Sequence, residues 1–87
     1  MSERDEFERR LAEWINRTLA PPGVVIDAET PLFAQGMINS IGILKLIAWT
    51  EHETGQRIPD KSIRMDNFRT VRRIASVFCI ERDNVVA

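Results

Sequence analysis

The first part of the chain repeats an apolar residue every fourth position and then stops at two prolines. The repeat consists of Phe7, Leu11, Ile15 and Leu19. Residues at this spacing share one face of an α-helix, and charged residues fill most of the positions between them. Proline supplies no backbone N–H and disfavours a helical conformation in the residue before it, so Pro21-Pro22-Gly23 ends the helix. The pattern therefore predicts a helix over 4–19 with an apolar face that other elements must cover.

Three later segments also have helical features. The sequence predicts a helix over 41–54 that stops at Gly55, a short helix over 61–68, and a last helix capped by Thr70. Because Val24-Val25-Ile26 has no second strand to pair with, we expect an extended loop that places Val25 or Ile26 in the core. The apolar residues of the last helix are Val71, Ile74, Ala75, Phe78 and Cys79. The expected fold is all-α: four helices of unequal length, with a long loop between the first two.

The composition favours one small domain that presents something to larger partners. The chain has 87 residues, is 44% hydrophobic and carries a net charge of −1. We expect a single domain over 1–87 with a core over about 4–80, a frayed tail over 83–87, and no nucleic-acid or membrane partner. Cys79 is the single cysteine, so a reducing, cytoplasmic setting is expected. No apolar run could span a membrane, and the charged start is not a signal peptide. We expect a monomer.

A serine stands where a glycine-containing loop gives way to the second helix. The stretch reads Gly36-Met37-Ile38-Asn39-Ser40-Ile41-Gly42. A helix N-terminus has unpaired N–H groups and the positive end of the helix dipole, which together favour a phosphate group. The Ser40 hydroxyl could cap the helix or carry a phosphodiester above those N–H groups. The local residues alone leave both roles open.

The serine stretch and three other segments resemble the acyl carrier protein family. The other segments are Thr30-Pro31-Leu32-Phe33, Ile58-Pro59-Asp60 and Asn67-Phe68-Arg69-Thr70-Val71. The resemblance covers nearly the whole chain and implies a free-standing carrier of biosynthesis that is not itself an enzyme. It further implies that a phosphopantetheinyl transferase attaches 4′-phosphopantetheine from coenzyme A to Ser40, between Asn39 and Ile41. The arm would hold an acyl or aminoacyl group as a thioester for an activating ligase and downstream transferases.

The second helix carries two apolar stripes. The predicted core stripe consists of Ile43, Leu46, Ile47, Thr50 and Thr54. A second stripe of Ile41, Leu44 and Ala48 lies away from it, next to Ser40. The resemblance implies that partner enzymes dock on this second stripe. Alternatively, Leu44 packs on the loop of residues 20–38.

The charge pattern departs from the family, in which the second helix is often acidic. Gly42 and Lys45 stand where acids are frequent, and the later helices are basic through Lys61, Arg64, Arg69, Arg72 and Arg73. Lys45 and Arg64 would belong to the partner surface, and enzymes adapted to an acidic carrier should bind poorly. Alternatively, the arginines form a solvated face with acids of the first helix such as Glu3, Glu6 and Glu13.

Asn39 is a second departure, because the family usually has Asp before the serine. Asn keeps a capping oxygen but loses a carboxylate that could help to hold the Mg²⁺ used with coenzyme A. Modification of Ser40 is still expected, with a different preferred transferase. Asn39 supports one alternative, an unmodified interaction module with the carrier fold. A further alternative comes from the basic residues: a domain that binds nucleic acid through Arg64, Arg69, Arg72 and Arg73. No catalytic residue or metal ligand is predicted, since His52 and Cys79 belong to no recognisable constellation, and Trp14 and Trp49 are expected to pack.

Overall fold

The structure is a computed structural model, and it describes residues 3–34 and 38–79. Within these residues all regular secondary structure is helical, and no strand is present. The three α-helices are α1 (Glu3–Thr18), α2 (Ser40–Thr54) and α3 (Val71–Phe78), and two 3-10 helices span Asp60–Ser62 and Met65–Phe68. The all-α class is confirmed. The predicted frayed tail at 83–87 lies outside the described residues.

The ends of the helices follow the expected capping residues. Gly55 ends α2 in the left-handed region, with φ of 69°, and its N–H donates to the Glu51 carbonyl at 2.9 Å. Thr70 caps α3, because its Oγ1 accepts from the Arg73 N–H at 3.0 Å. Local sequence thus fixes where these helices stop and start.

The helix predicted over 61–68 is instead two separate 3-10 helices. Between them, Arg64 is extended, with φ of −130° and ψ of 143°. The Ser62 carbonyl accepts from the Asn67 side-chain amide at 2.9 Å and from the Arg64 N–H at 3.0 Å. Because these donors occupy the carbonyl that would serve the next helical turn, no continuous α-helix forms here. The described chain therefore has three α-helices rather than four.

One apolar core joins the three helices and the loops. Its buried hydrophobic residues are Phe7, Leu11, Ile15, Ile26, Leu32, Ile38, Leu46, Ile58, Phe68, Val71, Ile74 and Ala75. In α2, Leu46 and Thr50 are fully buried, and the Thr50 hydroxyl donates to the Leu46 carbonyl at 2.9 Å. Ile43 and Ile47 are half-buried against the same core. The predicted core stripe of α2 is confirmed.

The loop after α1 is held by a side chain of α1. Asn16 Nδ2 donates to the Ile26 carbonyl at 2.9 Å, and Asn16 Oδ1 accepts from the Ile26 N–H at 2.7 Å. Ile26 is buried, whereas Val25 is 81% exposed. Further along, the Leu32 N–H donates to the Arg69 carbonyl at 2.8 Å. The segment 24–27 forms no strand, and Ile26 rather than Val25 is its anchor in the core.

Aromatic contacts and an ion pair join α1 to α2. The Trp49 ring lies 5.4 Å from the Phe7 ring, edge to face, and 5.8 Å from the stacked Trp14 ring. Arg10 forms an ion pair with Glu53 on α2. Both tryptophans are half-buried packing residues, as predicted.

Candidate functional site

Asn39 holds the start of α2. Its backbone is extended, and its Oδ1 accepts from the Gly42 N–H at 2.9 Å. Its carbonyl accepts from the Ile43 N–H at 3.0 Å. The capping role that the sequence left open for Ser40 therefore belongs to Asn39. Ser40 is the first residue of the helix itself.

Gly42 allows the residue before the cap to reach the core. Gly42 is buried, and a Cβ atom placed on it would lie 2.6 Å from Ile38 Cγ2. Ile38 is 6% exposed, so it has little room to move away. A glycine at this position lets Ile38 anchor the entry to α2 while Asn39 caps it. Gly36 and Met37 of the same motif lie outside the described residues.

Ser40 is exposed, and its hydroxyl forms no hydrogen bond with a described residue. No described residue accepts from the backbone N–H of Ser40 or Ile41, and the first turn of α2 has no acidic side chain. An open cleft of about 230 Å³ runs along residues on both sides of the serine. It is lined by Thr18, Leu19, Ile38, Asn39, Ile41, Gly42 and Lys45. A phosphate ester on this hydroxyl would meet N–H donors and no carboxylate from that turn.

A comparison with protein families shows the family of the chain. The family model described as the phosphopantetheine attachment site matches residues 9–78, which run from within α1 to the last residue of α3. The chain belongs to the phosphopantetheine attachment site family. The resemblance to acyl carrier proteins is consistent with this family and is confirmed at that level. A comparison with curated proteins found no match.

A phosphopantetheine attachment domain is the site at which 4′-phosphopantetheine is covalently bound. Domains of this family generally carry a group rather than catalyse a reaction, and they work with partner enzymes. The residues at the start of α2 fit such a group, because Ser40 offers an accessible hydroxyl beside N–H groups in a turn that has no carboxylate.

The predicted docking residues of α2 lie along one exposed side of the helix. Ile41 is 63% exposed and Leu44 is 67% exposed. Lys45 and Ala48 are exposed as well. The alternative in which Leu44 packs on the loop is therefore wrong. Arg64 is exposed but lies between the two 3-10 helices, outside α2, and the docking role of all five residues remains a prediction.

The arginines near α3 are partly paired. Arg69 forms an ion pair with Asp66. Arg72 lies 3.2 Å from Glu29 and 3.9 Å from Glu8. Glu6 and Glu13, which the alternative of a solvated face placed with these arginines, instead pair with Arg9 within α1. Arg64 and Arg73 form no ion pair with a described residue. Two of the four arginines suggested for nucleic-acid binding are therefore neutralised by ion pairs.

Other kinds of site have no support in the described part of the chain. No group of three or more His, Cys, Asp or Glu residues there is arranged to hold a metal ion. No helix among these residues is long and apolar enough to cross a membrane.

Proposed function

We propose that the chain is a carrier protein that holds an acyl or aminoacyl group on a 4′-phosphopantetheine arm attached to Ser40. The observation that supports this most directly is the separation of roles at the start of α2. Asn39 caps the helix, and the exposed Ser40 beside it keeps a hydroxyl that no described residue uses. Family membership supports the cofactor, and the geometry supports this serine as its attachment point.

When attached, the group supplies a thiol at the end of a flexible arm, where the cargo is held as a thioester. Attachment forms a bond from Ser40 Oγ to phosphorus and breaks the bond between the two phosphates of coenzyme A. Adenosine bisphosphate leaves, and a base on the transferase takes the hydroxyl proton. The chain itself contributes an accessible oxygen at a fixed helix start. In this proposal the chain is not an enzyme, and its single carrier domain acts in the cytoplasm.

Asn39 keeps the geometry of the site without adding a negative charge. Its amide oxygen caps α2 at 2.9 Å as an aspartate oxygen would. It offers no carboxylate to a metal ion, so the Mg²⁺ used in attachment must be held by the transferase and by the phosphates of coenzyme A. We therefore expect modification by a transferase that does not depend on an acid at this position.

Partner enzymes are proposed to dock beside the serine. The exposed side of α2 offers the aliphatic side chains of Ile41 and Leu44, the small Ala48 and the charged Lys45. Arg64 is proposed to extend this surface. The expected partners are a phosphopantetheinyl transferase, a ligase that activates an acyl group or an amino acid, and downstream transferases. The arm would bring one tethered substrate to each of them at a high effective concentration.

The test is the intact mass of the purified protein after incubation with coenzyme A and a broad-range transferase. Wild type should gain the mass of one phosphopantetheine group, and Ser40→Ala should gain nothing. Ser62→Ala and Ser76→Ala are matched controls that should be modified like wild type. A gain in Ser40→Ala, or no gain in wild type, would refute the proposal.

The alternative of an unmodified interaction module has one observation in its favour, which is Asn39 in place of the usual Asp. The two functions differ in the protein isolated from its own host. A carrier should show the phosphopantetheine mass on at least a fraction of molecules, whereas an interaction module should show the unmodified mass alone.

A further inference from the structure

Both acidic side chains of α2 bind other groups of the protein. Glu51 Oε2 accepts from the backbone N–H of Ile58 at 2.8 Å, and Ile58 is 7% exposed. Glu53 forms an ion pair with Arg10, and its side chain is 15% exposed. No other acid occurs between Ser40 and Thr54. The second helix therefore presents no unengaged carboxylate on its surface.

The charge that α2 does present is positive. Lys45 is exposed, forms no ion pair with a described residue, and follows the 67% exposed Leu44. It also lines the cleft that runs past Ser40. One turn towards the serine, Ile41 is 63% exposed. The face beside the attachment site thus combines two large aliphatic side chains with one unpaired cation.

The surrounding segment has the same sign of charge. Over 40–79 the four acids are Glu51, Glu53, Asp60 and Asp66. The seven bases are Lys45, Arg57, Lys61, Arg64, Arg69, Arg72 and Arg73. This segment therefore carries a net charge of +3, although the whole chain carries −1. A potential of this sign attracts acidic protein surfaces and repels basic ones during encounter.

We propose that the enzymes acting on Ser40 contact α2 through an apolar surface for Ile41 and Leu44 and an acidic side chain facing Lys45. This inference rests on the proposed carrier function and specifies the chemistry of its partners. A basic docking surface would meet Lys45 as a like charge. A basic partner surface could pair with Glu51 only if Glu51 gave up its hydrogen bond with the Ile58 N–H. It could pair with Glu53 only if Glu53 separated from Arg10.

The experiment measures the second-order rate constant for phosphopantetheine transfer by a transferase from the protein's own host. Carrier and coenzyme A concentrations are varied in turn, each with the other saturating, at low and high ionic strength. The variants are wild type, Lys45→Gln and Lys45→Glu. Lys61→Glu is the matched control, because Lys61 is also exposed and forms no ion pair with a described residue. Circular dichroism establishes that each variant is folded.

The wild-type rate constant should fall as salt rises, since screening weakens attraction between opposite charges. Lys45→Glu should lower the rate constant about tenfold at low salt, through a higher KM for the carrier, and the loss should shrink at high salt. Lys45→Gln should give a smaller loss of the same kind. Lys61→Glu should change the rate constant less than Lys45→Glu.

An unchanged or faster reaction of Lys45→Glu would overturn the inference while leaving the carrier function intact. A rise in KM for coenzyme A instead of the carrier would also overturn it, because Lys45 would then act on the cofactor rather than on the enzyme. If wild type is not modified by any transferase, the proposed function fails and this inference fails with it. These outcomes are distinguishable within the one data set.

Discussion

Removing the cap of α2 should be more damaging than removing the serine beside it. Asn39→Ala deletes the oxygen that accepts from the Gly42 N–H at 2.9 Å. Loss of an asparagine cap costs about 0.5–2 kcal/mol. The bond is part-buried and both residues line the open cleft, so water replaces part of the lost acceptor, and we expect about 1 kcal/mol, in the middle of that range. For a domain of this size the melting temperature should fall by roughly 4–8 °C.

Two neighbouring variants separate capping from other effects. Ser40→Ala removes an exposed hydroxyl that no described residue contacts, so the free energy of unfolding should change by no more than about 0.5 kcal/mol. Asn39→Asp keeps a capping oxygen and adds a negative charge at the positive end of the α2 dipole. It should stabilise the protein by about 0.3–1 kcal/mol.

The assay is thermal unfolding of the unmodified protein at neutral pH, followed by far-UV circular dichroism and by tryptophan fluorescence. Fluorescence reports on the packing of Trp49 against Trp14 and Phe7, and it should change at the same temperature as the helical signal if unfolding is two-state. A loss in Ser40→Ala equal to that in Asn39→Ala would show that the serine caps the helix. The reasoning about separate roles would then be wrong.

Three further tests probe the packing, the hydrogen bonds and the charges of the fold. Leu46→Ala should lower the free energy of unfolding in urea by about 2–5 kcal/mol. The same change at Leu44, which is 67% exposed, should lower it by less than about 0.5 kcal/mol. Similar losses would mean that the buried and exposed faces of α2 are misassigned. Glu51→Ala should lower the free energy of unfolding by about 1–3 kcal/mol, because the backbone N–H of the buried Ile58 loses its acceptor. Glu51→Gln should restore part of this stability. Equal losses in both variants would contradict the role of Glu51 as the acceptor for Ile58. The backbone N–H of Glu29 donates to the Asp27 carboxylate and lowers the pKa of that carboxyl group. The ionised side chain therefore contributes stability above the ordinary Asp pKa. This contribution is lost as pH falls through the lower pKa that Asp27 has in the folded protein. The melting temperature should accordingly fall less on acidification in Asp27→Asn than in wild type, and identical acid profiles would exclude the effect.

Local patterns explain most of what the sequence predicted correctly. The fourfold apolar repeat and the Pro21-Pro22-Gly23 stop depend on residues within one helix, and the predicted helix over 4–19 matches Glu3–Thr18 to one residue at each end. Thr70 and Gly55 act as caps through hydrogen bonds that span three or four residues. The exposed face of α2 followed from helical spacing alone. These features need no knowledge of distant partners.

Contacts between segments explain what the sequence did not reveal. The choice of Ile26 over Val25 as the core anchor depends on the amide of Asn16, ten residues away. The 3-10 helices replace one α-helix because the Asn67 side chain takes a carbonyl of the preceding turn. The engagement of both α2 acids depends on Ile58 and on α1. The number of acidic residues in a helix therefore overstates the negative charge that the helix presents to a partner.

Asn39 shows how a departure from a family pattern can keep the local geometry of the helix start. From sequence, the missing carboxylate supported an unmodified module as an alternative, although modification of Ser40 by a different transferase remained the prediction. The structure shows that the amide oxygen still caps α2, and that Gly42 supplies both the capped N–H and the space for Ile38. Since the cap, the glycine and the buried Ile38 fix the helix start together, the serine between them is free of any capping duty. A lost charge at position 39 should therefore change which transferase acts on Ser40 rather than whether the hydroxyl can be reached.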